Sequence, residues 1–258
     1  MGERTLDHTL QEAAGFLSAA RSVTVLTGAG ISTESGIPDF RGPQGVWTSD
    51  PMAERLSHIR YYMQDPDVRV AAWRSRLAHP AWTARPNDGH RALARLESRG
   101  KVHTLVTQNI DGLHQAAGTS ADILIEIHGT IHDVLCMGCG ERAPMQRALD
   151  RVRAGEPDPP CRTCGGILKS ATVSFGQPLV EEDLLRAQVA SETCDLFMAI
   201  GTTLGVYPVA YLPRRALDSG ARLVIFNSQE TAYDGQAHAV VRAPLGEALP
   251  ALAELVDG

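Results

Sequence analysis

Short runs of apolar and β-branched residues recur along the chain and stop abruptly at glycine or at polar side chains. Val23-Thr24-Val25-Leu26, Thr104 to Thr107, Ile123 to Ile127, Leu196 to Ile200 and Leu223 to Phe226 are such runs. They are short and nearly continuous in hydrophobicity, as strands buried on both faces of a parallel sheet are. Ala237 to Arg242 reads as a last strand. Between the runs the pattern shifts to a helical period, over Leu6 to Ala20, Gly89 to Glu97, and residues 181–191, 207–218 and 246–256. Strands alternating with helices predict an α/β fold.

Two stretches break this alternation. Residues 43–86 carry Pro51, Pro66, Pro80 and all three tryptophans, with no strand pattern, and read as a helical insertion. Residues 131–170 hold four of the five cysteines and form a second insertion.

In open α/β sheets, ligands bind beyond the carboxyl ends of the strands. The polar residues at those ends are therefore the candidates for chemistry. One strand leads into Thr107-Gln108-Asn109-Ile110-Asp111, and the next into His128-Gly129. Taken singly, a helix cap and a turn histidine would account for them. The first strand runs into Thr27-Gly28-Ala29-Gly30-Ile31-Ser32-Thr33, where Gly28 and Gly30 would let bare N–H groups approach a pyrophosphate. The dinucleotide fingerprint is incomplete: Thr33 holds its sixth position, and no acidic residue is clearly placed about twenty residues on. Then comes Ser35-Gly36-Ile37-Pro38-Asp39-Phe40-Arg41. Gly36 and Pro38 break any helix, leaving an arginine and an aromatic ring on a loop beside the turn, or else a surface salt bridge.

The cysteines form a C-x2-C, x21, C-x2-C pattern: Cys136, Cys139, Cys161 and Cys164. Two such knuckles fill a tetrahedral zinc shell and leave no position open for water, so the site is expected to be structural. Two disulfides are the alternative. Cys194, before an apolar strand, reads as a small buried hydrophobe. The 258 residues, 43% of them hydrophobic, allow a sizeable core, and the net charge of −6 gives no footprint for nucleic acid. Residues 1–21 show no signal peptide and no stretch is apolar enough to span a membrane, so a cytoplasmic protein without membrane or nucleic-acid partners is expected.

Gly28 to Ser32, Ser35 to Arg41, Gln108-Asn109-Ile110-Asp111, His128-Gly129, Phe175-Gly176, Gly201-Thr202-Thr203-Leu204 and Asn227 together resemble the signature blocks of the sirtuins, NAD-dependent protein lysine deacylases. The blocks keep the family's order, and the resemblance runs from about Leu10 to Leu255. It implies a Rossmann-like parallel sheet with helices on both faces, made from residues 1–42, 87–130 and 171–258. A small lobe would combine the helical insertion, 43–86, with a zinc-binding module, 131–170.

The resemblance also implies roles. NAD would meet Gly28, Ala29, Gly30 and Ser32, the loop Pro38, Asp39, Phe40 and Arg41, and Trp47. It would further meet Gln108 to Asp111, Gly201, Thr202, Thr203, Asn227, Ser228 and Leu245. Asn109 and Asp111 would hold the nicotinamide amide, and Phe40 would shield the cleaved C1′. His128 would act as general base through the ribose hydroxyls, a task suited to an imidazole titrating near neutrality. An acylated-lysine protein would lie as an extended strand between Val173, Phe175 and Gly176 on one side and Gly205 and Val206 on the other, with loose sequence selectivity. Gln177 replaces the family's usual Glu.

Acetyl-lysine is the leading substrate, with transfer of the acyl group to ADP-ribose and a monomeric enzyme expected. Removal of succinyl or long-chain acyl groups, or mono-ADP-ribosyl transfer, is the alternative. Relatives that remove acidic acyl groups carry Tyr-x-x-Arg, whose Arg pairs with the acyl carboxylate. Here Trp73-Arg74-Ser75-Arg76 has the spacing but not the Tyr. The favoured reading puts Trp73 in the small-lobe core and the arginines on the wet face of a helix.

Overall fold

The computed structural model describes residues 6–39 and 57–257. Phe40, Arg41 and Trp47, and the first part of the expected helical insertion, lie outside the described residues. The chain begins with α1 (Leu6–Ala19) and β1 (Val23–Thr27), followed by a 3₁₀ turn, Ala29–Ser35. Then come α2 (Ile59–Gln64), α3 (Pro66–Leu77), α4 (Asp88–Ser98), β2 (Thr104–Thr107), α5 (Leu113–Ala117) and β3 (Leu124–Glu126). The cysteine-bearing region holds β4 (Gly129–Cys136), β5 (Arg142–Pro144), α6 (Met145–Arg153) and β6 (Leu168–Thr172). The last part is α7 (Glu181–Thr193), β7 (Leu196–Ile200), α8 (Leu212–Asp218), β8 (Arg222–Phe226), β9 (Ala239–Val241) and α9 (Leu245–Asp257).

Six strands form one parallel sheet in the order β3-β2-β1-β7-β8-β9. Counted within the sheet this is the 3-2-1-4-5-6 order of a doubly wound fold, whose direction reverses between β1 and β7. Alternation along the strands divides the core. Val23, Val25, Met198, Ile200, Val224 and Phe226 pack with residues of α1, α4 and α9. Leu26, Phe197, Ala199, Leu223 and Ile225 pack against Ala187 of α7 and Leu212 and Ala216 of α8. Both faces are thus covered, which is why the strands read as unbroken apolar runs. Full burial of each large side chain contributes about 1.5–3 kcal/mol.

A second, antiparallel sheet has the order β5-β4-β6. Its core joins Trp73 of α3 to Val134, Met145, Leu149 and Leu168, so the two insertions share one small hydrophobic cluster.

Differences from the sequence expectations are local. The helix expected over 207–218 starts only at Leu212, after a 3₁₀ turn, Val209–Tyr211, because Pro208 cannot donate a helical N–H and Pro213 suits the first turn of a helix. The last strand contracts to Ala239–Val241.

At the switch point, the turns after β1 and β7 touch backbone to backbone. Gly28 donates its N–H to Ile200 O at 3.0 Å and Gly30 to Gly201 O at 2.8 Å. These two N–H groups are therefore engaged within the protein instead of being bare for a phosphate, as the sequence had suggested. The glycines are needed for closeness. A Cβ on Gly30 would lie 2.8 Å from Gly201 Cα, and one on Gly201, whose φ is +61°, would lie 2.5 Å from Ile31 N. Gly201→Ala would meet both a backbone clash and a left-handed conformation. It is expected to cost at least about 3 kcal/mol in urea unfolding; a loss below about 1 kcal/mol would show that the turns can separate freely.

Candidate active site

A cavity of about 1210 Å³ opens at the carboxyl ends of β1, β2, β7 and β8 and extends under the small lobe. Gly28, Ala29, Gly30, Ser32, Pro38, Asp39, Gln108, Asn109, Ile110, Asp111, His128, Gly201, Thr202, Thr203, Asn227, Ser228 and Leu245 all line it. So do Val173, Phe175, Gly176, Val206, Trp73 and Arg76 from the expected substrate set. Gly205 does not, and it faces solvent.

The strand-end residues of β2 tie three strands together. Gln108 donates from Nε2 to Thr202 Oγ1 at 2.9 Å and from its backbone N–H to Thr27 O at 2.9 Å. Asn109 donates from Nδ2 to Gly28 O and to Ser32 Oγ, both at 3.1 Å. Thr202 Oγ1 also accepts from Leu204 N, closing a turn in which Leu204 has φ +54°. A buried leucine in the left-handed region is strained, and such strain gathers at functional sites.

Asp111 is buried beneath this turn. Its Oδ1 accepts from Leu113 N at 3.0 Å and its Oδ2 from Ser32 Oγ at 2.7 Å. Burial raises its pKa, and the two donors only partly offset that effect. His132, from β4, reaches the Asp111 carbonyl through Nε2 at 2.9 Å. It thereby braces the turn from the small-lobe side.

His128 places Nδ1 3.1 Å from Gln108 O. A carbonyl only accepts, so Nδ1 carries the hydrogen and Nε2 keeps its lone pair. Burial lowers the His128 pKa below its usual value, and the bond to Gln108 counteracts this in part. At neutral pH His128 is an uncharged imidazole with a free acceptor, the form a general base requires.

On the substrate side, Val173 N–H is bonded to His128 O at 2.8 Å, and Phe175 pairs with His58 in a short parallel bridge. Successive residues of an extended segment face opposite edges, so an added strand would use the edge that Phe175 does not occupy. Gln177 folds back, its side-chain oxygen accepting from Ser174 N–H at 3.3 Å.

Trp73 sits in the small-lobe core as expected, but Arg76 is not on a wet face. Its Nε donates to Ser170 Oγ at 3.3 Å, at the cavity wall. Ser170 Oγ lies 2.8 Å from Thr172 Oγ1. Lys169, buried beside them, bonds through Nζ to Ser170 O and Thr172 O. Burial, and then the charge of Arg76, lower the Lys169 pKa to about 7. Among the described residues neither side chain is paired with a carboxylate. Sequence reading overlooked Lys169, Ser170 and Thr172 because they lie on β6, where the cysteine-bearing insertion returns to the main domain. The signal was the group of polar residues, Lys169, Ser170 and Thr172, directly before Val173.

The four cysteines stand apart from the cavity, with their Sγ atoms all within 4.8 Å of one another. The Cys136–Cys164 and Cys139–Cys161 distances are 3.5 and 3.8 Å. These are too long for disulfides and match the edge of about 3.8 Å expected for a tetrahedral Zn–S₄ shell. Gly138, Cys139 and Gly166 donate their N–H groups to Cys sulfurs at 3.4 Å, as suits thiolates. The donor set fits a structural zinc ion. One zinc per chain is expected by metal analysis, and Cys136→Ser should lower the melting temperature sharply, since a structural site contributes folding free energy directly. An unchanged melting temperature would mean that the knuckles hold without metal.

The family model for the Sir2 family matches residues 28–208. An NAD-dependent protein deacetylase 2 from Streptomyces coelicolor is 52% identical over 230 residues, covering 89% of this chain and 95% of the relative. An NAD-dependent protein deacetylase 1 from Pyrobaculum aerophilum is 42% identical over 250 residues, covering 96% and 95%. Among solved structures, a Sir2 variant with a deacetylated p53 peptide and 3′-O-acetyl ADP-ribose superposes with a TM-score of 0.88 at 32% identity, covering 95% of this chain and 97% of the other. Agreement in sequence over nearly the whole length, and in fold, leads to one conclusion: the chain belongs to the Sir2 family.

Proposed function

We infer that this chain is an NAD-dependent protein lysine deacetylase and that the strand-end cavity is where it acts. The observation that carries this reading is the convergence of Asn109, Asp111 and the bare Nε2 of His128 on one cavity bordered by the two glycine turns. Bound NAD supplies the ADP-ribosyl acceptor for the acyl group and gives up nicotinamide. The residues around it bind, orient and move protons. Thr202, Thr203 and Asn227 offer hydroxyls and an amide to the phosphates and adenosine ribose. Asn109 and Asp111 offer an amide and a carboxylate, complementary to a carboxamide. Nε2 of His128 takes a ribose hydroxyl proton while Gln108 O holds the ring in the required tautomer. The acyl-lysine enters as a strand beside Val173 to Gly176.

The proposed division of the chain follows: 1–42, 87–130 and 171–258 form the NAD-binding domain, 43–86 and 131–170 form the small lobe, and the peptide lies between the two. Among the described residues no helix is long and apolar enough to cross a membrane. A cytoplasmic monomer acting on acylated proteins, without nucleic acid, is the corresponding setting.

His128→Ala should remove deacetylation by a factor of about 10²–10⁴ while NAD still binds. In the unmodified protein, kcat/KM requires neutral His128 and falls as pH drops through its pKa. Because burial lowers that pKa, the acid limb should lie below the usual imidazole value of 6.5. An acid limb above 6.5, or an active His128→Ala, would remove the base from His128.

One observation favours a second reading, removal of acyl groups that end in a carboxylate. Partly buried Arg76, and Lys169, whose pKa of about 7 lets it take up a proton, line the cavity without a carboxylate partner among the described residues, and a terminal carboxylate would pair with them. On this reading Arg76→Ala lowers kcat/KM for a succinyl-lysine peptide about tenfold more than for its acetyl counterpart. Equal losses would make Arg76 a prop of the cavity wall.

A further inference from the structure

Behind Asp111 lies a polar chain, part-buried at Asn87 and fully buried at His90 and Ser32, that the chemistry above does not use. Asn87, which begins α4, donates from Nδ2 to Ile31 O at 2.7 Å and to Ser35 Oγ at 3.0 Å. These bonds fix which end of its amide is oxygen. That oxygen lies 3.0 Å from His90 Nδ1, so Nδ1 carries a hydrogen. His90 is fully buried, and its ring lies 4.9 Å from that of His114. Burial holds the two imidazoles at about 4 and about 3, so both are neutral near pH 7. His90 Nε2 is then a bare lone pair, and it faces Ser32 Oγ at 3.5 Å.

Ser32 has one hydrogen for two acceptors. Its oxygen accepts from Asn109 Nδ2, and its hydrogen bridges to Asp111 Oδ2 at 2.7 Å. No hydrogen is left for the His90 contact, which is accordingly long. A buried imidazole acceptor facing a hydroxyl whose hydrogen points elsewhere is poorly satisfied. Rotation of the Ser32 O–H, which moves no heavy atom, would satisfy it and release Asp111 Oδ2.

We propose that His90 is a positioning residue of the nicotinamide pocket: its bare Nε2 gives Ser32 a second acceptor, so that the hydroxyl turns from Asp111 to His90 when a carboxamide N–H takes the carboxylate. This rests on the assignment of Asn109 and Asp111 to the nicotinamide amide. Without His90, the Ser32 hydrogen has nowhere to go and competes with the ligand for Asp111. His90 touches no ligand; it acts through Ser32.

The experiment measures exchange of labelled nicotinamide into NAD and inhibition of deacetylation by nicotinamide, on purified full-length protein. In His90→Leu the nicotinamide constants should weaken about fivefold, the scale of one net hydrogen bond, with the loss in KM for NAD and little in kcat. His90→Gln, whose side-chain oxygen can accept from Ser32, should stay within about twofold of the unmodified protein. In a Ser32→Ala background His90→Leu should add nothing further. Equal losses in Leu and Gln variants, an unmoved constant in His90→Leu, or full additivity with Ser32→Ala would each overturn the proposal. Should His90→Leu not fold, His90→Gln decides alone: a loss beyond about tenfold overturns it. If Ser32→Ala leaves the nicotinamide constants unchanged, the pocket assignment itself fails and the proposal falls with it. If Ser32→Ala weakens them and His90→Leu does not, only the proposal falls.

Discussion

Backbone contact between the turns after β1 and β7 sets the geometry on which the rest of the site is built. β1 and β7 pair to their last residues, the winding direction reverses between them, and the turns that follow are closed by glycines that touch with no side chain between them. Because the two turns cannot slide apart, Gln108 can span from β2 to Thr202, and Asn109 can reach Gly28 and Ser32. Each of those bonds fixes a polar side chain at the cavity edge. The hydrophobic layers on both faces of the sheet keep the strands in register and so keep the turns opposed.

Electrostatics follows from that packing. Asp111 is a buried carboxylate held by two donors, and His128 is a buried imidazole whose tautomer a carbonyl selects. Burial moves both groups toward their neutral forms. The small lobe contributes from the other side. β4 delivers His132 to the Asp111 carbonyl, and β6 delivers Lys169 and Ser170 toward Arg76. The zinc-type knuckles stand away from the cavity and hold the ends of those strands, which links a structural cluster to the shape of the cavity wall.

Much of this is written in local sequence. β1, β7 and β8 are legible because strands buried on both faces stay apolar or β-branched through their interior. The cysteine knuckles are legible because ligand spacing is dictated by the metal shell. Strand ends carry the polar blocks, so Asn109, Asp111 and His128 stand out. What stayed hidden depends on contacts between distant segments. The sequence shows that Gly28 and Gly30 turn the chain, but not that their N–H groups bond to Ile200 and Gly201. It gives Arg76 a helical period without showing that the inner face of α3 looks onto Ser170. His90 belongs to no polar block of the sequence, and only the fold brings it to Ser32.

The central claim is that one cavity couples loss of nicotinamide to removal of an acyl group from lysine. The most direct measurement is mass spectrometry of an acetyl-lysine peptide and NAD incubated with the protein, following peptide, nicotinamide and acyl-ADP-ribose together. Deacetylated peptide, nicotinamide and acetyl-ADP-ribose rising in equal amounts, and none of them without NAD, is the expected result. Nicotinamide released while the peptide keeps its acetyl group would contradict the coupling and shift the reaction to ADP-ribosyl transfer or NAD hydrolysis.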